Sequence, residues 1–207
     1  MFVNDPLLDR LILWVILVLS LTVHECAHPY SAWCLGDDTA RLLGRCTLDP
    51  LAHIDPIGTL LPLLGVPFGW AKPVPINPLR FRRVNIRMGI LLPAAAGPAS
   101  NLVLFGLLAG GLFATSRLVP PETLNEWPIL QFFFVAMLLN MLLAVFNLIP
   151  IYPLDGSRIV DSLMPSPFRR IWARICQLSP ILLIALLIGP RMLNFDLFEF
   201  PRKWAES

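Results

Sequence analysis

Residues 11–29 read LILWVILVLSLTVHECAHP, an apolar run that ends in two histidines and a glutamate and is closed by a proline. On a helix, His24 and His28 lie four apart on one face, where both can reach a single metal ion; Glu25, about 100° round from His24, can approach a metal-bound water as general base. Histidines met singly are more often structural than ligating. Here, however, three ionisable side chains fall within five residues of a segment that reads as membrane-spanning. Each costs several kcal/mol at that depth and is functional by default. The cluster therefore points to a metal site.

The rest of the composition supports a membrane setting. Of 207 residues, 56% are apolar and only 14% charged, and 21 are proline; a soluble domain carries roughly a quarter charged residues. The length suits one membrane-embedded unit over 1–207 and leaves no sequence for a second globular domain. A net charge of +2 gives no footprint for nucleic acid. Cys26, Cys34, Cys46 and Cys176 form no CxxC pair, so they read as free thiols. Asp5 and Asp9 offset Arg10 ahead of the first apolar core and no small-residue cleavage site follows, so the first segment is expected to stay as a transmembrane helix.

A spanning helix needs about 20 mostly apolar residues. The sequence predicts an all-α polytopic membrane protein with about four such helices, near 7–33, 88–116, 128–150 and 171–190, the last weakened by Arg174 and Pro180. Between the first two, residues 57–76, IGTLLPLLGVPFGWAKPVPI, are apolar but too rich in Gly and Pro for a regular helix. Irregular backbone at membrane depth needs protein or a watery cavity around it, which predicts a short re-entrant β-like hairpin. Arg41, Arg45, Lys72, Arg80, Arg82, Arg83 and Arg87 lie between the first two helices, and Arg158, Arg169, Arg170 and Arg174 follow the third, whereas the 117–127 connection holds only Arg117. Positive charge favours the cytoplasm. The N-terminus is thus expected outside, and HECAH in the cytoplasmic half of the first helix. Arg82, Arg83 and Arg87 are expected to anchor the second helix at the headgroups.

A zinc peptidase site needs a third protein ligand and an open position for water. A metzincin-type continuation would require Gly at position 31 and His at 34, where Ser31 and Cys34 stand; Glu122, Glu126, Glu199 and Glu206 fall in external or terminal segments. His53, Asp49, Asp55 and Asp155 remain.

Four stretches together, HECAH at 24–28, LAHIDPIGT at 51–59, AAAGPASNL at 94–102 and FNLIPIYPLDGSRI at 146–159, resemble the site-2 protease family of intramembrane zinc metalloproteases, in its minimal prokaryotic branch without a PDZ or other regulatory domain. The resemblance spans most of the chain. It implies one zinc ion per chain held by His24, His28 and Asp155, with Glu25 as general base, and regulated hydrolysis of peptide bonds in or near transmembrane segments of membrane-protein substrates at the cytoplasmic membrane. Gly156 and Pro153 beside Asp155 permit the helix break from which such a ligand would project.

Other polar positions take candidate roles around that site. Asn101 and Asn147 can donate to a substrate carbonyl or oxyanion; interhelical hydrogen bonding is the competing reading for both and the stronger one for Asn140. His53, with Asp55, is a possible supporting residue on the cytoplasmic side. The hairpin around Gly65 and Gly69 could pair with an unwound substrate by strand addition. GPAS with Ala94 to Ala96 permits close helix approach and needs no catalytic role. Two positions depart from the family's usual pattern: Pro29, which removes a backbone donor and should kink the helix at Glu25, and Tyr152. A catalytically impaired pseudoprotease and a zinc-transporting membrane protein are the alternatives to a peptidase.

Overall fold

Backbone amides cannot be left unpaired in hydrocarbon, so uncharged runs of Leu, Ile, Val and Phe fold as helices. The computed structural model describes residues 6–64, 69–118 and 128–192 and is dominated by α1 (Pro6–Cys34), α4 (Ile86–Leu118), α5 (Pro128–Leu148) and α7 (Arg169–Met192). Shorter helices are α2 (Thr39–Leu42), α3 (Pro56–Leu60) and α6 (Asp155–Leu163). Among the described residues, three helical stretches, Leu7–Cys34, Ile86–Leu118 and Ile129–Leu148, are long and apolar enough to cross a membrane. The fourth expected segment is helical as part of α7 but is not one of these.

The β-like hairpin expected over 57–76 does not form as such: the described residues hold no sheet, only an isolated bridge between Ile54 and Ala71. Its first half is α3 instead. Pro56 presets the first helical φ, and the Asp55 carboxylate caps the amides of Ile57 and Gly58 at 3.1 and 2.9 Å. Residues 69–77 then run back along the loop, Lys72 donating to the His53 carbonyl at 2.8 Å and Trp70 to that of Gly58 at 3.3 Å. Gly65 and the tip at 65–68 lie outside the described residues, as does 119–127 of the expected external connection.

α4 is the centre of the bundle, packing on α5, α1 and α6. Small buried residues, Ala94, Gly97 and Pro98 on α4 with Ala136 and Ala144 on α5, allow the close approach. The outer faces stay apolar: Phe133, Phe134, Leu138, Leu142 and Val145 on α5 are exposed, as suits side chains that meet lipid. α1 runs unbroken through the buried Pro29 to Cys34. Pro29 has no amide hydrogen, so the Glu25 carbonyl is without the i+4 donor of a regular α-helix. Cys26, Cys34, Cys46 and Cys176 are free thiols, and burial pushes the Cys46 thiol to a higher pKa.

Candidate metal centre

The last turns of the apolar part of α1 carry His24 and His28 inward, 3% and 7% exposed. Their rings meet edge to face with centroids 4.8 Å apart, the geometry that i, i+4 spacing dictates. Glu25, on the adjoining face, is half-buried, and ligand atoms of His24, Glu25 and His28 all lie within 4.8 Å of one another. α6 brings a fourth group. Asp155, the first residue of that helix, places Oδ2 3.1 Å from His24 Nε2 and 3.5 Å from His28 Nε2. The turn leading to it, residues 149–154, contains a cis Tyr152–Pro153 peptide.

A chain of hydrogen bonds sets which ring nitrogen carries the proton. The Ala136 carbonyl can only accept, so it fixes the Asn140 amide with Nδ2 toward it at 2.8 Å, Nδ2 also reaching Ser20 Oγ at 3.0 Å. Asn140 Oδ1 then faces Asn101, accepting from Nδ2 at 2.7 Å. That turns Asn101 Oδ1 to His24 Nδ1 at 2.6 Å, so Nδ1–H donates and the Nε2 lone pair points to Asp155. His28 reaches the same tautomer by a shorter route, its Nδ1 donating to the Pro93 carbonyl at 2.8 Å.

Two imidazole lone pairs and one carboxylate oxygen thus converge in a buried space. Among the described residues, Asp155 Oδ2 has no hydrogen-bond partner there. One proton can serve only one of its two N···O contacts, whereas one divalent cation can accept all three electron pairs. The donor set, two nitrogens and an oxygen with their second nitrogens held by oxygen acceptors, suits zinc.

The other sequence-derived candidates are placed differently. Asn101 is fully buried, bonded to His24 and Asn140, so both its polar atoms face the protein. Asn140 is 2% exposed and bridges α5 to α4 and α1. Asn147 is half-buried, with Nδ2 bonded to the Leu143 carbonyl of its own helix at 3.0 Å. His53 is buried in the connection, Nε2 meeting the Thr47 carbonyl at 2.9 Å, and Asp55 caps α3. Asp49 caps the turn Pro50–Ala52. These contacts lie within the connection rather than with the histidines of α1.

Two contributors were not singled out for the site in the sequence. Pro93 holds His28 through a backbone carbonyl, for which no side-chain pattern can signal. Gly97 lies flat against both rings: a Cβ there would sit 2.5 Å from His28 Cε1, 2.6 Å from its Nε2 and 2.7 Å from His24 Cε1. The GPAS motif signals close packing, but which helix it meets depends on the register between α1 and α4.

The family model described as Peptidase family M50 matches residues 110–188. The chain is 38% identical over 194 residues to "Putative zinc metalloprotease YwhC" of Bacillus subtilis, covering 91% of this chain and 85% of that protein. It is 32% identical over 184 residues to "Putative zinc metalloprotease Rip2" of Mycolicibacterium smegmatis, covering 88% of this chain and 68% of that protein. It is 27% identical over 191 residues to "Zinc metalloprotease MJ0392" of Methanocaldococcus jannaschii, covering 90% of this chain and 45% of that protein. No solved structure matches the chain.

Proposed function

The chain belongs to peptidase family M50, the site-2 proteases, and from that premise we propose that it is an intramembrane zinc metalloendopeptidase that hydrolyses peptide bonds in or beside transmembrane segments of other membrane proteins. The observation that carries the reading is Asp155 Oδ2, buried between the Nε2 atoms of His24 and His28 without a hydrogen-bond partner among the described residues.

His24, His28 and Asp155 would hold the zinc ion. When bound, zinc supplies a Lewis acid that polarises the scissile carbonyl and acidifies water. Glu25 takes a proton from the attacking water and delivers it to the amine nitrogen as the C–N bond breaks, so its carboxylate is restored. Asn101 holds His24 Nδ1–H and keeps Nε2 free to ligate, which makes it a positioning residue. Asn147, half-buried at the end of α5 shortly before Asp155, is the better candidate donor to a substrate carbonyl. The extended run 69–77 offers backbone groups with which an unwound substrate could pair as an added strand.

The basic connection between α1 and α4 argues for a cytoplasmic location of the α1 C-terminus, with the site in the adjoining half of the bilayer. α7 would make a fourth, tilted crossing, with Arg169, Arg170 and Arg174 at the headgroups. A non-catalytic binder has no observation in its favour, since general base and metal-ligating side chains are all present.

The test is cleavage of a tagged membrane substrate by the intact chain and by Glu25→Gln at equal zinc content. Loss of product in the variant is expected; equal product from both would overturn the mechanism.

A further inference from the structure

At the C-terminal end of α1 the chain builds a polar feature separate from the histidines. Gly36 has φ +107°, a left-handed conformation open to glycine, and a Cβ there would lie 2.9 Å from the Arg82 amide nitrogen. The close approach lets the Leu35 carbonyl accept from the amides of Arg82 at 3.3 Å and Arg83 at 3.2 Å. Arg83 Nη1 also donates to the Cys34 carbonyl at 2.8 Å. Asp37, 1% exposed, ties the same segments together by accepting from the Thr39 amide at 3.0 Å and the Asn77 amide at 2.7 Å. The end of α1, the start of α2 and residues 77–83 are thereby fixed around a cavity of about 280 Å³ lined by Trp33, Asp38, Arg41, Arg80, Arg82 and Arg83.

The charge in that cavity is unbalanced. Asp38, its one carboxylate, is taken by Arg80 at 2.5 Å. Arg41 stacks over the Trp33 ring, 4.4 Å from its centroid, and among the described residues neither Arg41 nor Arg82 has an ion-pair partner. The cavity lies where the apolar span of α1 ends at Cys34, the level at which tryptophan and arginine meet headgroups. Leu42, Leu43 and Leu79, on the segments that frame it, are 71%, 63% and 86% exposed. Three such leucines beside an arginine pocket are out of place in water and suited to an acyl boundary.

We propose that this cavity binds the phosphate of an anionic phospholipid headgroup, with Leu42, Leu43 and Leu79 against the acyl chains. A free phosphate ion would make no use of the leucines, and an acidic peptide none of a position at the membrane surface. The assignment stands on charge, shape and depth and does not depend on the peptidase reading.

The test is native mass spectrometry of the full chain in detergent, titrated with phosphatidylglycerol or with phosphatidylcholine. Retention of one phosphatidylglycerol per chain in preference to phosphatidylcholine is expected. Arg41→Gln/Arg82→Gln should weaken it about thirtyfold, from the attraction each arginine adds near an anionic surface. Arg169→Gln/Arg170→Gln, an equal loss of charge elsewhere, should leave it within about threefold. If the double variant does not fold by circular dichroism, Arg82→Gln alone should give about a fivefold loss. Equal retention by wild type and either pocket variant would overturn the proposal, as would no preference for the anionic lipid. Displacement of the lipid by inorganic phosphate or by a polyglutamate peptide at matched charge would overturn the lipid assignment in favour of those ligands.

Discussion

Gly97 lies against the face of the His28 ring so closely that a methyl group in place of its hydrogen would overlap Cε1 and Nε2, at 2.5 and 2.6 Å. The helix that carries Gly97 also carries Asn101 one turn further on and Pro93 one turn before, so α4 both clears space for the two imidazoles and fixes the proton on each of them. Gly97→Ala should displace both rings. Overpacking of this kind costs about 1–3 kcal/mol, and a large part is expected to appear as weaker zinc retention, read as metal content of the purified chain after dialysis. Zinc content equal to wild type would show that α4 yields instead.

Asn101 and Asn147 separate by what they change. Truncating a residue that orients a metal-bound histidine typically costs 10–100-fold in metal affinity or activity, so Asn101→Ala is expected to lower zinc affinity by about that factor. Asn147→Ala should leave zinc affinity near wild type and lower kcat by about a hundredfold, the scale of one lost oxyanion donor. A competitive chelator titration gives the first quantity and substrate turnover at full zinc loading the second.

Asn140→Leu removes the link that turns Asn101. Asn101 Nδ2 is then buried without an acceptor, at a cost of about 1–3 kcal/mol, and the amide is free to flip its nitrogen toward His24. Lower thermal stability in detergent together with weaker zinc binding is the expected pair. Loss of stability alone would mark Asn140 as a packing residue.

Asp155→Ala removes the carboxylate that lies 3.1 and 3.5 Å from the two imidazoles. Zinc content should fall to background while the chain still inserts and stays helical by circular dichroism. Full zinc occupancy in this variant would point to Glu25, whose atoms also lie within 4.8 Å of both histidines, as the third ligand.

Pro29→Ala restores an amide hydrogen beneath the Glu25 carbonyl. Because proline in a helix interior costs about 3 kcal/mol, the variant is expected to gain stability in mild denaturant and to keep its zinc. Loss of zinc would mean that the proline bend aims the ligands.

The three long apolar helices were legible because their length and lack of charge leave few alternatives to a helix in lipid, and their observed bounds differ from the expected ones by two residues or fewer. The segment after Asp55 was misread. An apolar, Pro- and Gly-rich run fits a hairpin by composition, but Asp55 followed by Pro56 is a helix start, and that local signal prevailed over residues 56–60. HECAH could be read from its own spacing. The proximity of Asp155 could not: spacing left it beside His53, Asp49 and Asp55, and the resemblance rather than the residues singled it out. Asn101 illustrates the remaining gap, since an amide in a helix gives no sign of whether it will face a substrate or a neighbouring imidazole until the helix register is known.

The contact of His24 and His28 with Asp155 joins the first helix to a residue far toward the other end of the chain. During synthesis, α1 and its histidines enter the bilayer while α4 and α5 are still to come, among the helices of many unrelated proteins. On the proposed ligand set the emerging chain is harmless to those neighbours. Cutting power would be withheld until the segment bearing Asp155 has left the ribosome and folded back, so that chain order itself would act as a delay on the proposed activity.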